Sequence, residues 1–396
     1  MLHWREKNQE RSAVWRSESG LAAPRKVVIA DDTLSADAAH RLACEGTSLL
    51  WRGDFQNARL LLQALMRRQE RDPRKSSAKA RHQKRQAAQK QEILPEETFP
   101  HAFHLHRQAQ AQRARVLSSI LIELQPDYVI SLRRAPDLRL PITEGWGKPE
   151  KLDQTIVTPL RELLGLVGAH EWRKKGVEVE ALGIAPNNRI HPHYAVFSPV
   201  RAEYVGLVAE APLPAGAQAL AYDIGVGTGV LTAVLSRRGV KRIVATDMSS
   251  RAIDCARENL QTLGCLNKVE LLKTDLFPAG RAPLVVCNPP WVPAKPSSAL
   301  EHAIYDEGSR MLRGFLGGVA EHLTLDGEAW LILSDLAEHL GLRSREELMG
   351  WIDAAGLKVV GRLDAKAHHG KVADTSDALH AARAAEVTTL WRLAVR

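Results

Sequence analysis

The stretch ALAYDIGVGTGVL, residues 219–231, joins an apolar run to a helical pattern through three glycines. The run is short and apolar enough for a buried strand, and the residues from 230 onward have the spacing of an amphipathic helix. Gly225, Gly227 and Gly229 lie at the junction, where the lack of side chains lets the backbone approach a ligand closely. The stretch therefore predicts a strand, a ligand-binding turn and a helix.

Strand and helix patterns alternate from about residue 219 to the end of the chain. Alternation at this spacing is typical of a parallel sheet covered by helices on both faces. The last two apolar runs are joined by a long polar segment, which favours an antiparallel terminal pair. The predicted fold class is α/β with a Rossmann-like sheet. Its seven strands are ALAYDIGV, RIVATDM, VELLKTDLF, LVVCNPP, EAWLILSD, GLKVVGRLDA and VTTLWRLAV.

Three aspartates lie at the ends of three successive predicted strands: Asp223, Asp247 and Asp275. Asp247 suits the hydroxyls of a ribose, and Asp275 suits the amino group of an adenine. Asp223 suits a ligand ammonium group and would repel a phosphate. Any one of the three could instead cap a helix, but the set beside a glycine turn indicates S-adenosylmethionine as the cofactor.

The glycine spacing argues against a nicotinamide cofactor. The pattern is G-x-G-x-G, and the third glycine of the dinucleotide-binding pattern G-x-G-x-x-G would fall on Val230. A nicotinamide oxidoreductase is therefore disfavoured.

The fourth predicted strand ends in an unusual turn, Asn288, Pro289, Pro290 and Trp291. An amide or exocyclic amine nitrogen is a poor nucleophile because its lone pair is delocalised. The Asn288 side-chain oxygen and the Pro289 carbonyl can accept its N–H groups, the prolines hold the backbone rigid, and Trp291 offers a face for a planar target. The alternative is an Asn–Pro turn that only closes a strand.

These motifs in this order resemble a class I S-adenosylmethionine-dependent methyltransferase of the branch that methylates nitrogen and carries an (N/D/S)-P-P-(Y/F/W) motif. The run TDLFPAGRAPLVVCNPPWVP is similar to HemK-type protein-glutamine methyltransferases and to small-domain relatives that modify ribosomal RNA. Upstream, YAVFSPVRAEYVGLVAEA resembles the segment that folds over the cofactor, with Phe197, Pro199 and Glu203 in matching places. The resemblance covers residues 194–335. It implies cofactor contacts from Phe197, Asp223, Gly225, Gly227, Gly229, Asp247, Met248, Asp275, Leu276 and Asn288.

Residues 1–185 are expected to form a mainly helical domain, with substrate recognition as its candidate role, and residues 186–396 the methyltransferase domain. Asp54 precedes one helical pattern, and the run from Val116 to Leu124 is read as one helical stripe. Residues 1–218 hold 33 basic and 25 acidic side chains, whereas the rest is balanced. The basic insertion 67–92 is either a phosphate-contacting arm or a solubilising loop.

Other features restrict the class of protein. Four scattered cysteines argue against a disulfide scaffold or a zinc site, and the histidines of HAFHLH lack partners spaced for a metal. The N-terminus lacks the apolar region of a secretory signal, and no apolar run is long enough to span a membrane. We expect a cytoplasmic protein without a metal, and its oligomeric state is not determined by the sequence.

The leading hypothesis is an N-methyltransferase that acts on a planar nitrogen in a macromolecule. The resemblance favours a glutamine amide of a protein. The alternative is a nucleic acid base, such as a guanine or adenine amine of ribosomal RNA, which the basic insertion favours. A non-catalytic cofactor-binding protein is a third hypothesis, and the intact Asn288 and glycines argue against it.

Overall fold

The computed structural model describes residues 1–70, 99–149, 153–200, 203–296, 301, 304–366 and 379–396. By its internal contacts the chain divides into two units, Met1–His170 and Glu171–Arg396. This division falls earlier than the predicted boundary at residue 185. Val179, Leu182 and Ile190 are buried in a core of the second unit, which explains the difference.

The first unit contains a six-stranded sheet in the order β1-β2-β6-β5-β4-β3. The expectation of a mainly helical N-terminal domain is therefore wrong. The strands are β1 Leu2–Glu6, β2 Gln9–Trp15, β3 Lys26–Ala30, β4 Thr47–Trp51, β5 Ile120–Leu124 and β6 Ile156–Pro159. The helices are α1 Ala36–Cys44, α2 Phe55–Glu70, α3 Phe99–Leu117, α4 Arg139–Trp146 and α5 Leu160–Lys175, and α5 continues past the division.

The apolar run from Val116 to Leu124, which was predicted as one helical stripe, contains the end of a helix and a strand. Helix α3 ends at Leu117, and Ser118 and Ser119 separate it from strand β5, which pairs with β4 and β6. A short apolar run does not distinguish a buried strand from a buried helix. The start of α2 is as predicted: the Asp54 side chain accepts the backbone N–H of Gln56.

An arginine ties the hairpin of β1 and β2 to the middle of the first sheet. Arg52, directly after β4, contacts Glu6 of β1 at 2.7 Å and Glu123 of β5 at 2.6 Å. Beside it, Leu2 and Trp4 of the hairpin share a buried apolar cluster with residues of β4, β5 and β6. The hydrogen bonds from Arg52 lower the pKa of Glu6 from 4.5 to about 2.

The second unit contains a seven-stranded sheet in the order β11-β10-β9-β12-β13-β15-β14. Its strands are parallel except for β15, which runs antiparallel to both neighbours. The predicted seven-stranded Rossmann-like sheet and its antiparallel terminal pair are confirmed. The strands are β7 Val177–Glu178, β8 Arg189–Ile190, β9 Leu220–Ile224, β10 Arg242–Asp247, β11 Val269–Lys273, β12 Ala282–Cys287, β13 Leu323–Ser334, β14 Leu357–Lys366 and β15 Val387–Val395, of which β7 and β8 pair separately.

Helices cover both faces of the second sheet. One apolar cluster contains residues of α6, α7 and α8, and another contains residues of α9 and α11. Since both faces are buried, the strands are apolar throughout, as in LVVC at 284–287. The helices are α6 Glu203–Glu210, α7 Val230–Arg237, α8 Ser250–Thr262, α9 Arg310–Val319, α10 Leu336–His339, α11 Arg345–Ala354 and α12 His380–Ala385.

The structure bears on two further features of the sequence, the expected lack of a membrane span and the basic insertion. Among the described residues, no helix is both long and apolar enough to cross a membrane. Most of the basic insertion, from residue 71 onward, lies outside the described residues.

We expect Glu6→Gln to lower the free energy of unfolding at pH 7 by about 1–2 kcal/mol, because a charge-assisted hydrogen bond to Arg52 is lost. The pKa of Glu6 is lower in the folded protein, so its contribution is complete above about pH 4.5 and is lost as the pH falls toward 2. Thermal unfolding of both proteins between pH 2.5 and 7 measures this. Glu10→Gln, on the exposed part of the same hairpin, is the control. An equal loss at pH 7 and pH 3 for Glu6→Gln would contradict the assignment.

Candidate functional site

Four parallel strands of the second sheet end at one edge. Ile224 at the end of β9 is level with Thr246 of β10 on one side and with Cys287 of β12 on the other. From β9 the chain proceeds outward to β10 and β11, and β12 lies on the opposite side. In open α/β sheets, ligands bind outside the strand ends at such a reversal of strand order.

The glycine turn follows β9 at this reversal. Gly225, Gly227 and Gly229 have φ of +81°, +52° and +83°, in the left-handed region that favours glycine. A Cβ on Gly229 would lie 3.3 Å from Cα of Ala256 in α8, so this glycine is needed for helix packing. A Cβ on Gly227 would meet nothing closer than 4.0 Å. The turn therefore has an open side at Gly227, as a ligand cradle requires.

Asp223 lies beneath this turn, in the core. It is 1% exposed, and its carboxylate accepts a hydrogen bond of 2.6 Å from the Thr232 hydroxyl. Burial raises the pKa of Asp223 from 3.8 to about 6. Burial raises the pKa of a carboxyl group, and such groups occur often at functional sites, where a positively charged partner can bind. Its predicted contact with a ligand ammonium group stays a prediction.

A second carboxylate, which the predicted site set did not contain, acts on the same tyrosine as Asp223 does. Glu203 begins α6, and its buried Oε1 has no hydrogen-bond partner among the described residues. Its neighbour Tyr204 is buried, and the pKa of Tyr204 is raised by burial and by the charges of Asp223 and Glu203. A buried carboxylate oxygen without a hydrogen-bond partner among the described residues fits a ligand that carries an ammonium group. In the sequence, Glu203 was indicated only by its place in YAVFSPVRAEYVGLVAEA, the segment that resembles the one folded over the cofactor.

Asp247 ends β10 and holds the glycine turn in place. Its carboxylate accepts the N–H of Gly227 at 3.1 Å and that of Ser249 at 2.9 Å. Burial raises the pKa of Asp247 in spite of these bonds. The carboxylate thus lies beside the open glycine, where a ribose was predicted to bind.

The side chains predicted to hold an adenine lie on the outer part of the edge. Arg310 donates a hydrogen bond of 2.7 Å to Asp275 and lies 3.9 Å from the Met248 sulfur. These side chains are exposed, so a ligand can reach them. Leu276 has φ of +58°, and its carbonyl accepts the Thr246 hydroxyl at 2.6 Å, which fixes its backbone. Arg310 was not predicted.

The Asn-Pro-Pro-Trp turn follows β12 beside the glycine turn. The indole N–H of Trp291 donates a hydrogen bond of 2.8 Å to Oδ1 of Asn288. The Trp291 ring is half-buried and meets the Tyr204 ring edge-on at 6.5 Å. Pro289 is buried and Pro290 is half-buried. The tryptophan was expected to offer a flat face, and the structure adds a role in fixing the orientation of the Asn288 amide.

Three further residues of the second unit have structural roles. Asp306 accepts the backbone N–H groups of Met311 and Leu312 and so caps the start of α9. Cys287 is fully buried, which raises its thiol pKa and agrees with a packing role. Phe197 packs half-buried against the core of the second unit. In the described part of the chain, no three potential metal ligands cluster.

The strand order and the edge described above are those of the Rossmann-like α/β fold that the sequence predicted. Residues 187–341 match the family model described as methyltransferase small domain. That segment contains the glycine turn, the three strand-end aspartates and the Asn-Pro-Pro-Trp turn.

Several curated proteins are similar to part of this chain. The release factor glutamine methyltransferase of Cereibacter sphaeroides is 31% identical over 155 residues, which are 36% of this chain and 53% of that protein. The protein of the same name from Caulobacter vibrioides is 30% identical over 158 residues, 38% of this chain and 55% of that protein. The ribosomal protein L11 methyltransferase of Thermoanaerobacter pseudethanolicus is 32% identical over 73 residues, 18% of this chain and 23% of that protein. The chain thus spans about half the length of the first two relatives.

We expect Asp223→Asn to raise the melting temperature by a few degrees above pH 6 and to leave it unchanged near pH 4. The folded protein keeps a proton on Asp223 up to about pH 6, whereas the unfolded chain releases it near 3.8, so stability falls as the pH rises between these values. Thermal unfolding at pH 4 to 8 measures the effect. Asp254→Asn, exposed on α8, should show no such trend. A pH-independent difference for Asp223→Asn would disprove this account.

Proposed function

We propose that this chain is an S-adenosylmethionine-dependent N-methyltransferase that methylates the side-chain amide of a glutamine in a protein. The observation that carries the proposal is the position of Asn288. It follows β12 directly, beside the glycine turn that follows β9, at the reversal of strand order. The names of two relatives, release factor glutamine methyltransferase, support the choice of acceptor.

The cofactor would be held along the edge of the sheet. Gly227 leaves space for it, and Glu203 and Asp223 offer negative charge for an ammonium group. Asp247 would accept ribose hydroxyls, and Asp275 with Met248 would border the adenine. When bound, S-adenosylmethionine supplies an electrophilic methyl group on a sulfonium.

Asn288 and Pro289 would position the amide nitrogen. A carbonyl oxygen has two lone pairs, so Oδ1 of Asn288 can accept one target N–H while it accepts the Trp291 indole N–H. The Pro289 carbonyl would accept the other N–H. Both bonds favour localisation of the nitrogen lone pair toward the methyl group. The nitrogen would attack the methyl carbon as the methyl–sulfur bond breaks and S-adenosylhomocysteine leaves, and the acidified N–H proton would then pass to solvent. Catalysis is thus mainly positioning, and no dedicated base is required.

A nucleic acid base is the second candidate acceptor. The observation that favours it is the basic excess of residues 1–218, since Lys and Arg side chains neutralise phosphates. The densest part of this excess, residues 67–92, lies mostly outside the described residues. In this alternative the basic insertion contacts the nucleic acid backbone, and the acceptor nitrogen is bound in the same way.

Asn288→Ala should lower kcat by about 100-fold or more, because one of the two acceptors for the target N–H is lost. Its affinity for S-adenosylhomocysteine, measured by calorimetry, should stay within a few-fold of wild type. Trp291→Phe is the matched variant: it keeps an aromatic ring and Asn288 itself but removes the indole N–H that orients Asn288, together with part of the ring, so a smaller loss, about tenfold, is expected. Full turnover by Asn288→Ala would rule out this role.

The acceptor class can be measured directly. We expect tritium from labelled S-adenosylmethionine, incubated with the protein and a cell lysate, to enter material that protease removes and ribonuclease does not. A second arm uses a purified release factor and its variants with single glutamines replaced by alanine, and one variant should lose the label. Label removed by ribonuclease would favour the nucleic acid alternative. Absence of S-adenosylhomocysteine binding would end the proposal.

A further inference from the structure

A short segment ahead of the cofactor-cover region runs along helix α8. We call residues 191–194 the strap. The Cys255 sulfur accepts the backbone N–H of His193 at 3.3 Å, and the Glu258 carboxylate contacts the His193 ring at 2.8 Å. Arg251 donates to the Tyr194 carbonyl at 3.4 Å. The strap is therefore anchored to one face of α8 by residues about one turn apart.

Asn259, on the same helix, makes a different set of bonds. Its Oδ1 accepts the N–H of His191 at 2.7 Å, and its Nδ2 donates to the His191 carbonyl at 3.2 Å and to the Thr228 carbonyl at 3.1 Å. Thr228 lies within the glycine turn, between Gly227 and Gly229. The amide thus uses its acceptor and both of its donor hydrogens, and it joins the strap to the turn.

The hydrogen bonds of Asn259 are costly to lose because both Asn259 and Thr228 are buried. Asn259 is 1% exposed and Thr228 is 2% exposed, so water does not replace a lost partner without rearrangement. In the described structure the Glu258 carboxylate contacts His193 of the strap and Arg173, and neither residue belongs to the glycine turn. Asn259 is the side chain of α8 whose hydrogen bonds reach both segments in the described structure.

We infer that Asn259 is a positioning residue that holds the glycine turn and the strap in one arrangement, so that cofactor affinity depends on it. The inference rests on the proposed function for the identity of the cofactor. The strap leads directly to Phe197, on one side of the predicted cofactor site, and the turn forms another side. A ligand that contacts both needs their relative position fixed before it binds.

The test compares Asn259→Asp with Glu258→Gln in the full-length protein. Asn259→Asp keeps the acceptor for His191 and replaces both donors by a carboxylate that faces two carbonyls. Calorimetry with S-adenosylhomocysteine, well below the melting temperatures, should show about tenfold weaker binding for Asn259→Asp and a change within twofold for Glu258→Gln. With saturating cofactor, kcat should stay near wild type, so that the defect lies in KM for the cofactor. If Asn259 had a purely structural role, Asn259→Asp would lower the melting temperature without raising KM for the cofactor at an unchanged kcat.

A second measurement keeps the inference testable if the variants fold poorly or if the cofactor is another molecule. Hydrogen exchange of the ligand-free wild type should show slow exchange at the His191 amide, and Asn259→Ser should speed exchange there and at the Gly225 and Val226 amides together. Binding of Asn259→Asp within twofold of wild type, an equal loss in Glu258→Gln, or an unchanged glycine turn in Asn259→Ser would each overturn the inference. Failure of the wild type to bind S-adenosylhomocysteine would refute the proposed function instead, and the exchange data would still decide the coupling.

Discussion

The site depends on how the backbone leaves strand β9. Directly after Ile224 the chain turns, and the N–H groups of Gly225 and Val226 donate to the Thr246 carbonyl of β10 at 2.9 and 2.8 Å. These bonds hold the turn against the neighbouring strand, and the left-handed glycines let the chain enter α7 without a side chain in the ligand space. Asp247, one residue further along β10, then reaches back to Gly227. The turn and the strand end thus form one hydrogen-bonded unit.

Burial of negative charge is the unfavourable part of this arrangement. Asp223 and Asp247 are close enough for the charge of Asp247 to act on Asp223, and burial raises the pKa values of both. Two buried carboxylates of this kind are costly without a positive partner. A cationic ligand would relieve this cost on binding.

The sheet of the second unit was predictable from the sequence because its motifs restrict the backbone locally. Glycines with left-handed φ, a proline pair and strand-end aspartates each restrict the backbone where they stand, and alternation gave the seven-stranded sheet. The first unit also has left-handed glycines, such as Gly46 before β4, but no glycine, proline or aspartate lies within the apolar run that was misinterpreted. The run from Val116 to Leu124 fits both periods, and only pairing of β5 with β4 and β6 decides it.

Contacts between distant residues explain the rest of what was missed. The bonds of Asn259 reach residues 31 and 68 positions away, and those of Arg310 reach Asp275 across 35 positions. Spacing along the chain does not reveal such partners. Glu203 was visible only by its place in a resembling segment. Site residues that act through long-range hydrogen bonds thus needed the three-dimensional structure.

The indole bond to Asn288 and the edge-on contact with Tyr204 make Trp291 different from other aromatic residues in this chain. Phenylalanine has no donor, and the hydroxyl of tyrosine projects from the far end of its ring, so neither reproduces an N–H 2.8 Å from Oδ1. Either residue at position 291 would release the asparagine amide to turn over, presenting N–H groups where oxygen is required.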